Sequence, residues 1–319
     1  MTLLKLLKDG KFHSGQDLGA ALGISRSAVW KQLQQLQAEL NLPIHKVRGR
    51  GYQLAAPLQL LDDVVIGAPA AFVDSWPVII LESIDSTNAK ALRLLEGGRH
   101  APFLVLAERQ TAGRGRRGRK WVSPFGENLY YSLVLRIEGG MRKLEGMSLV
   151  VGLAVTHTLR EMGITRAGLK WPNDILVERR KLAGILLELV GDPADVCHVV
   201  IGIGINVNMQ STDDVDQPWT SMRLESGTPV NRNALVLLLN DKLRAYLARH
   251  QREGFAAIQG EWEQDHLWQG RAVTLVAGAN QIEGTVLGID RQGALRLQVG
   301  GVEQVYSGGE LSLRLRDDS

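Results

Sequence analysis

Cysteine is almost absent. Cys197 stands alone among 319 residues, which excludes an internal disulfide and fits a reducing cytoplasm. The Val and Ile residues around it mark it as a buried strand residue, not a nucleophile. Long apolar runs are missing as well: the longest, such as Leu149 to Ala154, stop far short of the roughly 20 residues a membrane span needs. No cleavage signal accompanies Met1-Thr2-Leu3-Leu4-Lys5-Leu6-Leu7-Lys8, whose charges fall at helical spacing, so the segment reads as a helix and not a leader. A strong excess of one charge is lacking too, since 37 Lys and Arg oppose 34 Asp and Glu for a net +3. What remains is ordinary globular composition, 45% hydrophobic and 22% charged, in a chain long enough for two or three domains of about 100–200 residues each.

The small total conceals an uneven distribution. Residues 1–60 hold eight Lys/Arg (Lys5, Lys8, Lys11, Arg26, Lys31, Lys46, Arg48, Arg50) against Asp9, Asp17 and Glu39. That excess of five leaves −2 for the rest of a chain whose total is +3. A small basic module joined to a near-neutral body points to a polyanion partner for the first part only.

Within that module Leu3, Leu4, Leu6 and Leu7 give a first helix its apolar stripe. Ser14 caps a second, with Asp17 three residues on, and that helix carries Leu18, Ala21 and Leu22 before stopping at Gly23. Ser25 opens a third, where Val29, Leu33 and Leu36 share a face. Helix, tight glycine turn, helix is the helix-turn-helix pattern. The third helix would expose Arg26, Ser27, Trp30, Lys31 and Gln34, a polar and basic face of the kind that enters a major groove; Gly15 and Ser25, at the helix starts, join this DNA-binding set. Ile44 to Leu54 reads as a β-hairpin wing whose basic tip, with Arg48 and Arg50, would touch phosphates. The bland alternative is a three-helix interaction module with a solvated face; the wing and the charge favour DNA. Pro57 and the Leu-rich stretch after it mark a linker.

From Val78 the pattern changes. Val78–Leu81 and Phe103–Ala107 are short buried strands. Ser86, Thr87 and Asn88 sit at a strand-to-helix junction where free N–H groups converge, a place that equally suits plain N-caps. Gly113-Arg114-Gly115-Arg116-Arg117-Gly118-Arg119-Lys120-Trp121 packs five cations and three glycines into nine positions. Glycine brings backbone close to a ligand and arginine supplies a fork of donors for carboxylate or phosphate, so the loop reads as an oxyanion cradle, a nucleic-acid patch or simply a flexible basic loop. Leu129–Ile137 is a further strand and Leu144–Met162 a long, mostly apolar helix. Leu169–Val177 then turns at Glu178-Arg179-Arg180 into Lys181–Leu189, a hairpin whose Lys170, Asn173, Asp174 and Lys181 need partners or a ligand on otherwise apolar strands. Val199–Val207 is nearly all β-branched and glycine; its Gly202-Ile203-Gly204-Ile205-Asn206 portion is weak as a nucleotide motif because no glycine-rich turn into a helix follows.

Taken in order and spacing, Ser86-Thr87-Asn88, the Gln110-x-x-Gly-Arg-Gly-Arg-Arg-Gly-Arg loop, Lys170-Trp171-Pro172-Asn173-Asp174, Lys181-Leu182-Ala183-Gly184 and Gly204-Ile205-Asn206 resemble the biotin–protein ligases. With a winged-helix module in front, the whole chain resembles the bifunctional bacterial form that also represses the biotin-synthesis operon. The resemblance implies a reaction in which biotin and ATP, with Mg²⁺, give biotinyl-adenylate and pyrophosphate, and biotin then passes to a lysine of a biotin carboxyl carrier protein. It implies that Ser86, Thr87, Asn88, Gln110, Arg114, Gly115, Arg116, Lys181 and Gly184 bind biotin. Adenylate contacts fall to Arg114, Arg116, Arg119, Lys170, Asn173, Lys181, Asn206 and Trp219, and the catalytic roles to Arg116, Lys181 and Asp174. Asp174 either orients the incoming lysine or holds a cation, and the metal ligands stay unassigned. Operator DNA and a homodimer formed on adenylate binding are the further expected partners.

Two amphipathic helices, Asn233–Leu247 and Phe255–Leu267, precede short alternating segments at Val273–Val276, Ile282–Ile289, Ala294–Val299 and Leu311–Leu315, the mark of a small β-barrel. The resemblance makes it an SH3-like domain that closes over the nucleotide. The expected class is thus mixed α/β (α+β). A winged helix-turn-helix over 1–60 leads to a ligase domain over 61–268 and an SH3-like β-barrel over 269–319.

Overall fold

The structure, a computed structural model, describes residues 2–40, 42–55, 57–67, 76–192, 196–307 and 311–316. Three helices, α1 (Leu3–Leu7), α2 (Gly15–Leu22) and α3 (Arg26–Leu40), close over Leu3, Leu7, Leu18, Val29 and Leu33. Ser14 Oγ accepts from Asp17 N at 3.0 Å, and Gly23 ends α2 at φ +67, the left-handed cap that favours glycine. The wing is the antiparallel pair β1 (Ile44–Val47) and β2 (Gly51–Leu54). Gly51 has φ +104, and a Cβ there would meet His13 O at 2.0 Å, so only glycine lets β2 lie against His13.

The linker is held down. A short helix α4 (Asp63–Gly67) follows residues 59–62, and those residues bond to a buried ion pair, Arg232–Glu108 at 2.7 Å. Glu108 Oε1 accepts from Leu61 N at 2.6 Å, Arg232 donates to Gln59 O at 2.6 Å, and Asn233 donates to Leu60 O at 3.0 Å.

The centre is a seven-stranded sheet of β3 (Val78–Leu81), β4 (Phe103–Ala107), β5 (Leu129–Glu138), β6 (Ala167–Lys170), β7 (Asp174–Val177), β8 (Arg180–Gly191) and β9 (Val196–Ile205), in the order β3-β4-β5-β9-β8-β7-β6. β3 and β4 run parallel and every other neighbour is antiparallel. Alternation sends Phe103 and Val105 to one face, under α5 (Thr87–Glu96), and Leu104 and Leu106 to the other. That second face carries α6 (Met147–Glu161) and α8 (Arg232–Glu253), with α7 (Met222–Ser226) between them in the chain. Leu169–Val177, expected as one strand, is broken at Trp171-Pro172-Asn173 into β6 and β7, because Pro172 has no N–H for a ladder. Lys170 and Asp174 thereby face each other in register.

After α8 a 3₁₀ turn, Phe255–Ala257, leads to α9 (Gln259–Asp265), so the second expected helix is shorter than its apolar pattern suggested. β10 (Ala272–Ala277), β11 (Asn280–Ile289), β12 (Leu295–Val299), β13 (Val302–Tyr306) and β14 (Leu311–Leu315) form an antiparallel sheet in the order β13-β12-β11-β10-β14. β13 escaped the sequence reading because it is an edge strand exposed along most of its length and shows no apolar alternation. The sheet docks on the central body: Trp171 Nε1 donates to Gly293 O at 3.1 Å, and Ile289 N donates to Glu263 Oε1 at 2.8 Å.

His266, beside that junction, is buried and stacked 4.7 Å from the Trp262 ring. Burial pushes its imidazole down to about 4. An unfolded histidine titrates near 6.5, so the unfolded chain takes up this proton first. Stability should therefore be full above about pH 6.5 and fall by about 3 kcal/mol as pH drops toward 4. Urea midpoints followed across that window should fall more steeply for the wild type than for His266→Leu; parallel curves would remove His266 as the cause.

Candidate functional site

Three adjoining cavities lie where α5, the glycine-arginine loop, β8 and β9 meet. The first, about 450 Å³, has as its floor a stretch of sheet cleared of side chains. Gly184 on β8 pairs with Gly204 on β9. A Cβ at Gly204 would sit 2.5 Å from the Trp121 ring, and one at Gly202 would sit 2.4 Å from Asn88 Oδ1. The strand glycines therefore make room for Trp121 and Asn88. The wall is the start of α5, where Ser86 is the N-cap. Thr87 donates to Gln110 Oε1 from its backbone N at 2.9 Å and from its hydroxyl at 3.1 Å. Gln110 Nε2 donates to Ser123 Oγ at 3.1 Å, and Ser132 Oγ donates to Asn88 Oδ1 at 2.6 Å. This polar arc faces apolar Trp121, Ile185 and Ile203, an arrangement suited to a small molecule with one polar ring edge.

The glycine-arginine loop bonds largely to itself. Trp121 N donates to Gly113 O at 2.9 Å and Gly115 N to Arg119 O at 2.7 Å, around a 3₁₀ turn, Arg116–Gly118. Among its cations Arg116 alone is part-buried, while Arg114, Arg117, Arg119 and Lys120 are exposed. Arg116, half-buried, donates to Asn173 Oδ1 at 2.8 Å and to Leu311 O at 3.5 Å. Burial pushes its guanidinium down, Asp174 pushes it back up, and Arg117 adds to the fall. Arginine nonetheless stays charged at neutral pH.

Arg116, Arg119, Lys170, Asn173, Asp174 and Lys181 line the second cavity, about 550 Å³, which Leu311 to Leu313 of the C-terminal sheet close. Lys181 Nζ lies 2.7 Å and Lys170 Nζ 3.8 Å from the Asp174 carboxylate. Burial lowers the Lys170 pKa most; Asp174 raises it again and neighbouring cations lower it further. Arg117 and Lys120 line it too, and six cations around a single carboxylate make this a site for a polyanion. The third cavity, about 410 Å³, lies between Trp121, Asn206 and the Asp214–Trp219 loop. Lys181 N donates to Pro218 O at 2.9 Å, and Asn206 Nδ2 to Thr220 O at 3.0 Å, which bring Trp219 alongside. Lys181 and Trp121 border all three cavities.

The residues singled out in the sequence thus gather in one place. Ser86, Thr87, Asn88, Gln110, Arg114, Gly115, Lys181 and Gly184 line the first cavity, while Arg116 lies beyond its rim in the second. Trp121, Ser123, Ser132 and the floor glycines Gly202 and Gly204 were assigned no role; glycine inside a strand pattern was the available signal. Among the described residues no cluster of three or more His, Cys, Asp or Glu side chains could hold a metal by itself. On the N-terminal module Arg26, Ser27, Trp30, Lys31, Gln34 and Arg48 are exposed on α3 and the wing, and Ser25 caps α3 at 3.2 Å. Gly15, unlike them, is buried, where a Cβ would meet Arg26 and Tyr52 at 3.2 Å, so the glycine leaves room for the Arg26 side chain. Arg50 folds back over the Phe12 ring at 4.2 Å.

The fold and the site define a class, a three-part protein with an acyl-activating ligase body. The Biotin/lipoate A/B protein ligase family matches residues 80–206, an HTH domain matches 1–53, and the Biotin protein ligase C terminal domain matches 270–314. The bifunctional ligase/repressor BirA of Salmonella typhimurium is 43% identical over 98% of this chain and 97% of its own length, and that of Escherichia coli is 42% identical over the same shares. The biotin protein ligase of Aquifex aeolicus, solved with biotin and ATP, superposes with a TM-score of 0.67 at 31% identity, over 75% of this chain and 99% of that one. The chain belongs to the biotin protein ligase family, in its bifunctional ligase/repressor form.

Proposed function

We propose that this protein makes biotinyl-adenylate from biotin and ATP, passes biotin to a lysine of a biotin carboxyl carrier protein, and, with the adenylate as corepressor, represses transcription at a biotin operator. The observation that carries this reading is the position of Lys181, which borders all three cavities. Biotin in the first cavity and adenosine in the third would meet beside its amine. A biotin carboxylate oxygen attacks the α-phosphorus, the bond to the bridging oxygen breaks, and pyrophosphate leaves. Lys181 and Arg116 offset the charge that collects there. The carrier lysine, as free amine, then attacks the anhydride carbonyl; AMP departs, and an amide remains. Ser86, Thr87, Asn88 and Gln110 hold the biotin ring, Gly184 its floor, Arg114 and Gly115 its cover; Asn206 and Trp219 flank the adenine, with Lys170, Arg119 and Asn173 toward the phosphates.

Mg²⁺ would enter with the triphosphate. Magnesium is commonly held by one or two carboxylates plus phosphate oxygens, and Asp174, the carboxylate that lines the second cavity beside Lys181 and Lys170, is the one that fits. Two copies would present two wings to a palindromic operator. Beyond Gly184 the outer edge of β8 carries no strand among the described residues, and Leu189 and Val190 are exposed along it, which supports association. No described helix is long and apolar enough to cross a membrane; the carrier substrate and the lone Cys197 support a cytoplasmic setting.

Radiolabelled biotin, ATP and an acceptor domain test the reading directly. A labelled acceptor is expected, with none formed when ATP is omitted or the divalent ion is chelated; an unlabelled acceptor in the complete mixture would refute the ligase reading. Sedimentation should show tighter self-association with biotinyl-adenylate, and by linkage tighter adenylate binding in the dimer. Identical association constants would refute the corepressor role. A chain beginning near Leu60 should bind no operator.

A further inference from the structure

Glu188 lies on β8 on the same face as Gly184 and Leu186, which line the first cavity, since alternate residues of a strand share a face. Its carboxylate does not line the cavity but reaches two residues that do. Oε2 accepts from Asn88 Nδ2 at 2.7 Å, and Oε1 lies 3.2 Å from Arg114 Nη2. Asn88 belongs to the wall, in the first turn of α5; Arg114 belongs to the loop that covers the cavity. The Asn88 amide is held at both ends, its oxygen by Ser132 Oγ at 2.6 Å and its nitrogen by Glu188, so its orientation is defined.

A loop whose backbone bonds close on themselves needs side chains to fasten it to the body. Arg116 to Asn173 is one fastening, on the phosphate side. Arg114 to Glu188 is the counterpart on the biotin side, and it differs in exposure: the Arg114 side chain is 46% and the Glu188 side chain 25% exposed. A pair so placed can open without disturbing the core beneath it.

We propose that Glu188 is a positioning residue that latches the glycine-arginine loop over the biotin cavity and sets how long the reactive adenylate is retained. This rests on the ligase reading above. The position asks for a carboxylate because it combines an acceptor for the Asn88 amide with a counter-charge for Arg114, two tasks that a neutral side chain cannot both perform.

The test uses the full chain loaded with labelled biotinyl-adenylate and chased with unlabelled adenylate. Glu188→Gln keeps an acceptor for Asn88 and removes the charge. Release should quicken about two- to fivefold, the scale of a part-exposed ion pair, while adenylate formation in a single turnover, read as pyrophosphate, stays within about twofold. Wild-type release should also accelerate with added salt, as screening weakens the pair, and the variant's release should respond less. In a double-mutant cycle Glu188→Gln added to Arg114→Gln should produce no further acceleration. Equal release by wild type and Glu188→Gln, equal salt dependence, or additive effects would each overturn the latch. If the wild type itself forms no adenylate, the ligase reading fails instead, so the two failures are distinguishable.

Discussion

Arg116→Gly is expected to yield a protein that still makes biotinyl-adenylate but no longer keeps it. The guanidinium turns inward at the seam between the loop, the turn at Asn173 and β14, where it donates to Asn173 Oδ1 and Leu311 O. It holds its charge in a half-buried place, where a hydrogen bond to an anion is stronger than in water. Hydrogen bonds to charged groups contribute about 1.5–3 kcal/mol each, and loss of one preorganised donor commonly costs about 10²–10³-fold. Adenylate release should therefore rise by about two orders of magnitude or more. Formation should suffer less, because Lys181, Lys170 and Arg119 still face the phosphates. The escaped mixed anhydride acylates whichever amine it meets, so bystander lysines in an added protein should become biotinylated. Arg116→Lys should fall between, since it keeps the charge and loses the fork. A pulse-chase release measurement with mass spectrometry of the bystander decides the matter; retention within about twofold of wild type would displace Arg116 from this role.

Local features were legible in the sequence to the extent that local chemistry determines them. Ser14, Gly23 and Ser25 announce the helix-turn-helix because caps are short-range devices. The central strands announce themselves as apolar runs because both faces of that sheet are covered. The strand order was not legible: β9 lies between β5 and β8, a pairing of distant segments that no window along the chain contains. β13 was lost for a related reason, since an exposed edge need not alternate. Within the site, Lys181 and the loop arginines stood out because charge inside an apolar hairpin or a glycine-rich loop demands a partner. Trp121 did not stand out, because its role depends on Gly204 of another segment making room for the ring. The strand glycines were weak as a nucleotide motif for want of a glycine-rich turn into a helix. Their use is to leave room for Trp121 and Asn88, which depends on segments far away in the chain. Gly15, grouped with its exposed neighbours, lies buried among them, a placement that no local pattern announces.

The second large effect is expected at the linker, from the Arg232–Glu108 pair. The two side chains are 1% and 4% exposed and 2.7 Å apart. Removing one partner strands the other charge in a dry interior, so Arg232→Ala should cost about 3–5 kcal/mol, read as a lower urea midpoint. A buried pair replaced whole by apolar residues is often neutral or better, which makes Arg232→Leu with Glu108→Leu the informative variant. Here the pair also serves backbone groups: Glu108 accepts from Leu61 N, and Arg232 donates to Gln59 O and Asn128 O. Those groups would lose their partners at about 1–3 kcal/mol for each that stays buried, so the double variant should recover only part of the loss. The remaining deficit has a functional counterpart. Residues 59–62 connect the DNA-binding module to the ligase body, and a linker released from its partners no longer fixes where the wing and α3 stand relative to that body. Operator affinity should then fall while adenylate formation persists, because the cavities around Lys181 do not include either member of the pair. A double variant that matches the wild type in both urea midpoint and operator binding would show that Arg232 and Glu108 neither stabilise the linker nor set the address of the DNA-binding module.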